Sequence, residues 1–290
     1  MRRYLLANVL VALAGISVFA VPAVAADLPP LPAKAPAAPP PFSWSGFYVG
    51  INAGADWQRG DFTSNITGCD AVPRPAQCTG SIGHLGSSSS SAVAAQVAAA
   101  GTGSNTKVGG TGGGQFGFNW QTGGLVLGAE ADIEAIGGAP AIGTNRPLDP
   151  FTGSFFSVTD HASADWLATV RGRIGYAADR LLFYASGGAA FTRINFSQSY
   201  SDIFGGPLLG TPLTAFSASS TRTGYAVGAG VEYAFAGNWS ARGEYLFAGG
   251  FGEVGGSYLA VAGTGNADVH SASVKLDVQM VRLGLNYRFY

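Results

Sequence analysis

Charged residues recur at two-residue spacing along this chain. Glu130 and Asp132, Arg171 and Arg173, and Arg242 and Glu244 form such pairs. Asp165, Glu232, Arg282 and Arg288 sit in alternating runs of the same kind. On an extended strand, residues two apart share a face. All ten are predicted to lie on one polar face. If that face closes on itself, arginine can meet carboxylate through paired, charge-assisted hydrogen bonds. This is the chemistry of neutralisation rather than of turnover.

Catalytic constellations are sparse. His84, His161 and His270 fall in predicted loops. Ser157, Asp160 and His161 are close in sequence, but a catalytic triad is defined by geometry. No Gly-x-Ser-x-Gly elbow and no Walker pattern is present. The glycine run 109–114 lacks a following lysine and leads into a strand, so it reads as a loop end rather than a phosphate cradle. Cys69 and Cys78 are the only cysteines. In an oxidising compartment they are expected to bridge a small loop, with free thiols as the alternative. Two cysteines cannot complete a four-ligand structural zinc site. The expectation is no enzyme activity, no metal and no cofactor.

The polar face needs strands to carry it, and the sequence supplies them. Of 290 residues, 44 are glycine and 11% are charged, with net charge −1. Such a balance indicates no nucleic-acid partner. Long helical periodicity is absent; residues 92–100 could form one short helix on alanine propensity. Short alternating runs point instead to an all-β fold. The first predicted strand runs from about Trp44 to Trp57. The second covers 114–121 and the third 125–133, where Leu125, Leu127, Ala129, Ala131 and Ile133 oppose Glu130 and Asp132. The fourth covers 165–176 and the fifth 181–196, whose phase its Ala and Gly content leaves open. The sixth, 223–235, alternates most cleanly. The seventh begins at Trp239. The last runs from near Ser273 to the chain end, with an apparent slip of phase at Met280-Val281 that suggests a bulge or the rim of the sheet.

These strands are joined alternately by long and short connections. The long ones are 58–113, 137–162, 197–220 and 252–272; the short ones follow Thr122, Ala178 and Ala236. Even strand number with short turns on one side and long loops on the other matches a transmembrane barrel. A long apolar terminal strand also needs a partner along its edge, which closure provides. The expected fold is an eight-stranded antiparallel up-and-down barrel. A soluble sandwich, with the aromatics inside and the charges in water, is the alternative.

Residues 1–25 form a predicted signal peptide: Arg2 and Arg3, an apolar run from Leu5 to Val21, then Ala23-Val24-Ala25. Residues 26–43 form a proline-rich periplasmic lead, expected to be an extended spacer. Residues 44–290 form the barrel.

The chain resembles the small bacterial outer-membrane barrels of the porin-like, outer-membrane immunogenic or opacity-type group. The resemblance rests on Trp44-Ser45-Gly46-Phe47-Tyr48-Val49-Gly50 after the proline-rich lead. It rests also on Val170-Arg171-Gly172-Arg173-Ile174-Gly175-Tyr176, on Glu244-Tyr245-Leu246 and on the stretch from Val281 to Phe289. It implies location in the cell outer membrane and contact with outer-membrane lipid. It implies insertion by the outer-membrane assembly machinery, which reads a terminal strand ending in an aromatic such as Phe289. Tyr290 follows and departs from that pattern. Larger relatives carry a peptidoglycan-binding domain after the barrel, and none is expected here. Three functions follow as expectations: a structural and surface-interaction protein whose loops meet an extracellular partner, a narrow pore for ions or small solutes, or a barrel enzyme acting on lipid.

Overall fold

The structure is a computed structural model that describes residues 42–69, 76, 91–147, 154–203, 213–262 and 267–289. The signal peptide, most of the proline-rich lead, Cys78, His84 and Tyr290 lie outside the described residues. The fold consists of strands β1 (Gly46–Gly68), β2 (Gly103–Thr122), β3 (Leu125–Ile136), β4 (Ala141–Pro147), β5 (Phe155–Ala178), β6 (Leu181–Asp202), β7 (Thr214–Ala236), β8 (Trp239–Gly249), β9 (Glu253–Val261) and β10 (Ala267–Phe289), with one helix, α1 (Ser91–Ala100).

Eight strands close a ring. Hydrogen-bonded neighbours follow the order β1, β2, β3, β5, β6, β7, β8, β10, and β10 pairs back onto β1. Every pair is antiparallel. The three short connections turn through Gly123, Asp179 and Gly237, all at positive φ. Two of these are glycines, which take that conformation without a Cβ penalty.

Outward positions define the lipid belt. Phe47 to Trp57 on β1, Trp166 to Tyr176 on β5, and Tyr225 to Phe235 on β7 are outward-facing runs of similar length. Each spans about ten residues, the length a tilted strand needs to cross the apolar layer. Tyr225, Tyr233, Phe235 and Trp239 are all exposed, at 42 to 52%. A water-soluble wall does not leave so many large apolar groups uncovered.

Above the belt the ring divides. β8 breaks at 250–252, where Gly250 and Gly252 both have φ +74. β3 gives way to β4, and β5 carries an irregularity between Ala164 and Leu167. Among the described residues β9 has a ladder only with β10, and β4 only with β5. The result is two facing sheets, β2–β1–β10–β9 and β4–β5–β6–β7. Side chains staple their open edges. Asn105 donates to the Ala141 carbonyl, Arg222 donates to the Glu253 carbonyl at 2.8 Å, and Phe216 stacks on Tyr258 at 5.8 Å. Between the sheets lies an apolar core including Phe62, Ile194, Phe196, Phe251, Val274 and Leu276. Val93 and Val97 of α1 pack with Ile66, Phe156 and Tyr200 above it.

Among the described residues, much of what the sequence read as loop is therefore strand. β1 runs on to Gly68, β2 starts at Gly103, β5 at Phe155, β7 at Thr214 and β10 at Ala267. The predicted bulge at Met280-Val281 is absent: β1 and β10 pair without interruption from Phe47↔Phe289 to Gly68↔Asp268. What changes there is the interior itself, from Leu276, Val278 and Met280 among apolar neighbours to Arg282 among charges. A short helix, which alanine propensity allowed over 92–100, is present as α1.

Val227 lies near the middle of the belt and is 49% exposed. Val227→Arg puts a charge into hydrocarbon, and the expected cost is about 2–4 kcal/mol. Urea titration of the variant in phospholipid vesicles measures it; parent-like stability would mean that this face does not meet lipid.

Candidate functional site

The barrel interior is filled in layers. At the short-turn mouth Trp44 is fully buried against Val126, Ala177, Leu182 and Ala234. Its indole donates to the Asp179 carbonyl at 3.1 Å. Trp44 precedes β1 and turns inward, where the sequence placed it on the strand. Arg288 lies over it, 4.5 Å from the ring centroid, and also faces Phe42.

The next layer is a charge network. Arg171 is its hub, donating to Glu130 Oε1, Asp132 Oδ2 and Glu244 Oε1, each at 2.7 Å. Thr169 and Ser186 accept its remaining bonds. Arg282 reaches Glu244 at 2.7 Å, Asp132 at 3.3 Å, and Glu134. Arg242 bridges Glu130 and Glu244. Arg173 meets Glu232 at 2.6 Å and lies 3.6 Å from the Tyr184 ring centroid. Four guanidinium groups thus face five carboxylates. Neutral donors complete the shell: Tyr48 donates to Glu130, Asn52 to Glu134, and Ser240 and Asn286 to Glu232. Further hydrogen bonds of this kind offset the desolvation of buried ion pairs, though the Nε groups of Arg173 and Arg242 are buried without a partner.

Glycine makes room for this layer. A Cβ on Gly117 would lie 2.5 Å from the Tyr48 ring, and one on Gly230 would lie 2.5 Å from the Tyr184 hydroxyl. Both rings fill the interior because the neighbouring strand presents no side chain there.

Of the residues expected inside, Glu130, Asp132, Arg171, Arg173, Glu232, Arg242, Glu244 and Arg282 are brought together, and Arg288 joins the mouth. Asp165 is not among them. It lies outside, accepting from Asn195 at 3.2 Å, because the irregularity between Ala164 and Leu167 shifts the phase of β5. Glu134 was missed because the third predicted strand ended at Ile133; the alternation Glu130, Asp132, Glu134 continues through it. Asp56 and Gln58 were missed as fasteners. Asp56 accepts from the backbone of Gly137 and Gly138, and Gln58 exchanges two bonds with the Ala164 backbone across the interior. They hold the level where the ring divides.

Cys69 is buried at the end of β1 and is disulfide-bonded. Asp160 points inward and His161 outward, as adjacent strand residues must, so Ser157, Asp160 and His161 form no triad. His270 packs inside against Tyr200 with the rings tilted, at 4.3 Å between centroids. Among the described residues no histidine, cysteine and carboxylate group could hold a metal ion.

An eight-stranded lipid-facing barrel with a charge-filled interior defines a class of bacterial outer-membrane protein. The chain matches the family description "outer membrane protein beta-barrel domain" over residues 11–289, and it belongs to that family. It is 32% identical over 277 residues to the 31 kDa outer-membrane immunogenic protein of Brucella melitensis, covering 94% of this chain and 96% of the relative. It is 30% identical over 131 residues to the 22 kDa outer membrane protein of Rhizobium leguminosarum bv. viciae, covering 45% and 48%. Among solved structures it is similar to Ail of Yersinia pestis, at TM-score 0.33 and 12% identity over 84% of this chain and 99% of that one. It is also similar to the protease OmpT of Escherichia coli, at TM-score 0.40 and 9% identity over 84% and 97%. Likenesses this distant carry no argument about activity. The chain is an outer-membrane β-barrel protein, located in the cell outer membrane.

Two outcomes are expected at these sites. Glu244 touches three arginines, so Glu244→Ala takes a shared carboxylate from each of them and is expected to cost about 3–5 kcal/mol. Denaturant unfolding of the refolded barrel in detergent measures this, and a cost below about 1 kcal/mol would contradict a shared network. The second concerns Asp160, which lies beyond the belt. Its carboxyl is pushed up to about 7 by burial, while Gln198 donates to Oδ1 at 2.8 Å. Between the unfolded value of about 3.9 and that folded value the native state holds more protons. Stability therefore falls as pH rises through this window. Asp160→Asn is expected to flatten that slope in thermal melts from pH 4 to 8; an unchanged slope would remove Asp160 as its source.

Proposed function

We propose that this chain is a structural barrel of the outer membrane that presents a rigid extracellular platform for surface interactions, without conducting or catalysing. The observation that supports it is the filled interior. The apolar mouth at Trp44, the charge network around Arg171, and the core around Phe196 and Leu276 follow one another along the axis. An eight-stranded barrel is only wide enough for its own side chains to fill. Short turns lie on the periplasmic side of such barrels, so the two-sheet tier faces outward. It offers folded walls to a partner where long loops were expected. Phe289 ends β10 on the lipid side, half exposed, in the position from which the assembly machinery would read it.

A narrow pore is the competing function. Purified protein in planar lipid bilayers is expected to pass little or no steady current. A large, stable conductance from the unmodified protein would overturn the closed-barrel reading and make the chain a pore.

A further inference from the structure

The two-sheet tier has two seams, and they are closed differently. At the β7–β9 seam Phe216 fills the gap. Its ring stacks on Tyr258 and lies where a Cβ on Gly256 would be. Arg222 caps the Glu253 carbonyl on the same edge. At the β2–β4 seam, among the described residues, the bridges are at the foot. There a Cβ on Gly137 would lie 3.2 Å from the Gly110 oxygen, and Asn105 donates to the Ala141 carbonyl. Above that bridge lies a cleft of about 510 Å³. Gly103 and Ser104 form one wall, Gly143, Thr144 and Arg146 the other, with Ala99 of α1 beside them.

In an antiparallel ladder the backbone groups of alternate residues point to opposite sides. The bonds at the strand ends fix which side. The Ala162 amide donates to the Pro140 carbonyl, and the Ile203 amide to the Phe155 carbonyl. Even-numbered residues of β5 from 156 to 162 therefore bond β4, and odd-numbered ones bond β6. By the same parity Ile142, Thr144 and Arg146 bond β5, while the amides and carbonyls of Gly143 and Asn145 turn to the free edge. Ala141 is on that edge too, which is where Asn105 meets it. Pro147 ends the edge, having no N–H to offer. Across the seam, Cys69 donates to the Ala267 carbonyl, which sets the parity of β1 and leaves Ser104 and Thr106 on the free side of β2.

We propose that this cleft takes an extended segment of a partner protein, which adds as a strand to the free edge of β4. Gly143 and Asn145 supply two donors and two acceptors, and extended backbone presents the matching set at the same spacing. Arg146 donates from Nε to Thr144 at 3.0 Å, and its terminal nitrogens suit a carboxylate on the added strand. The segment is therefore extended, free of proline at its paired positions, and acidic beside Arg146. The proposal rests on the platform reading, which puts the tier outside the cell.

The test is amide hydrogen exchange on the full barrel in nanodiscs. The probe is a synthetic peptide of alternating valine and threonine with one central aspartate. Saturating peptide is expected to slow exchange at Gly143 and Asn145 by about tenfold or more, while Thr144, already bonded to β5, stays unchanged. The same peptide N-methylated on the residues that face β4 is expected to bind about tenfold more weakly. Asn145→Pro removes a donor from the free edge and none from the β5 ladder, and it is expected to weaken the unmodified peptide to a similar degree. Unaltered exchange at both residues, or equal binding of the N-methylated peptide, would overturn the proposal. So would protection of both amides before peptide is added, because another part of the chain or a second copy would then hold the edge. Outward orientation is read separately, by labelling Asn145→Cys on intact cells with a membrane-impermeant maleimide. An unlabelled cysteine together with peptide-dependent protection would overturn the platform reading and leave the strand-adding edge standing.

Discussion

Arginine sealed inside a closed barrel must be met by carboxylate, and much else in this structure follows from that. The lipid outside and the packed apolar layers inside remove water from both sides of the wall. The charges of Arg171, Arg173, Arg242 and Arg282 are then tolerable only in contact with Glu130, Asp132, Glu134, Glu232 and Glu244. Five strands contribute: β3, β5, β7, β8 and β10. Correct register on each is a condition for pairing, since a one-residue slip would move a charge to the lipid face. The network therefore couples register around the ring. Tyr48, Ser240 and the amides of Asn52 and Asn286 donate to lone pairs that arginine leaves, and inward glycines give the interior rings space.

The interior changes chemistry along the axis, and so does the architecture. Within the membrane the ladder closes, because an open edge in hydrocarbon leaves backbone groups unpaired. Beyond it water can satisfy an edge. There the ring divides into two sheets around an apolar core, as a soluble sandwich does. Asp56 and Gln58 mark the boundary by bonding the backbone where β3 ends and β5 shifts. The soluble sandwich that the sequence left as the alternative, with aromatics inside and these charges in water, is not the fold: the charges are buried inside the ring and the belt aromatics are exposed.

The outer face was legible because lipid imposes one rule on it throughout. Tyr225, Val227, Val231, Tyr233 and Phe235 alternate without exception on β7. The charge network was legible for the same reason seen from behind: what is not lipid-facing in the belt faces inward. The upper strands were not legible, because the contrast reverses there. Ser197 and Ser199 point outward while Phe196, Gln198 and Tyr200 point inward, so polar stretches that read as loop are two-faced strand. On β10 the same reversal looked like a slipped phase. Asp165 was misplaced for a local reason, since a single irregularity at Ala164 and Leu167 leaves little trace in the residue types. Nothing short of the paired register reveals it.

The central claim is that the interior is a coupled network of buried ion pairs. A double-mutant cycle on Arg173 and Glu232, 2.6 Å apart and almost fully buried, tests it most directly. Unfolding free energies of the parent, Arg173→Ala, Glu232→Ala and the double variant give the coupling energy. The account predicts a coupling well above the roughly 0.2–1 kcal/mol typical of exposed pairs. Additive effects of the two substitutions would contradict it.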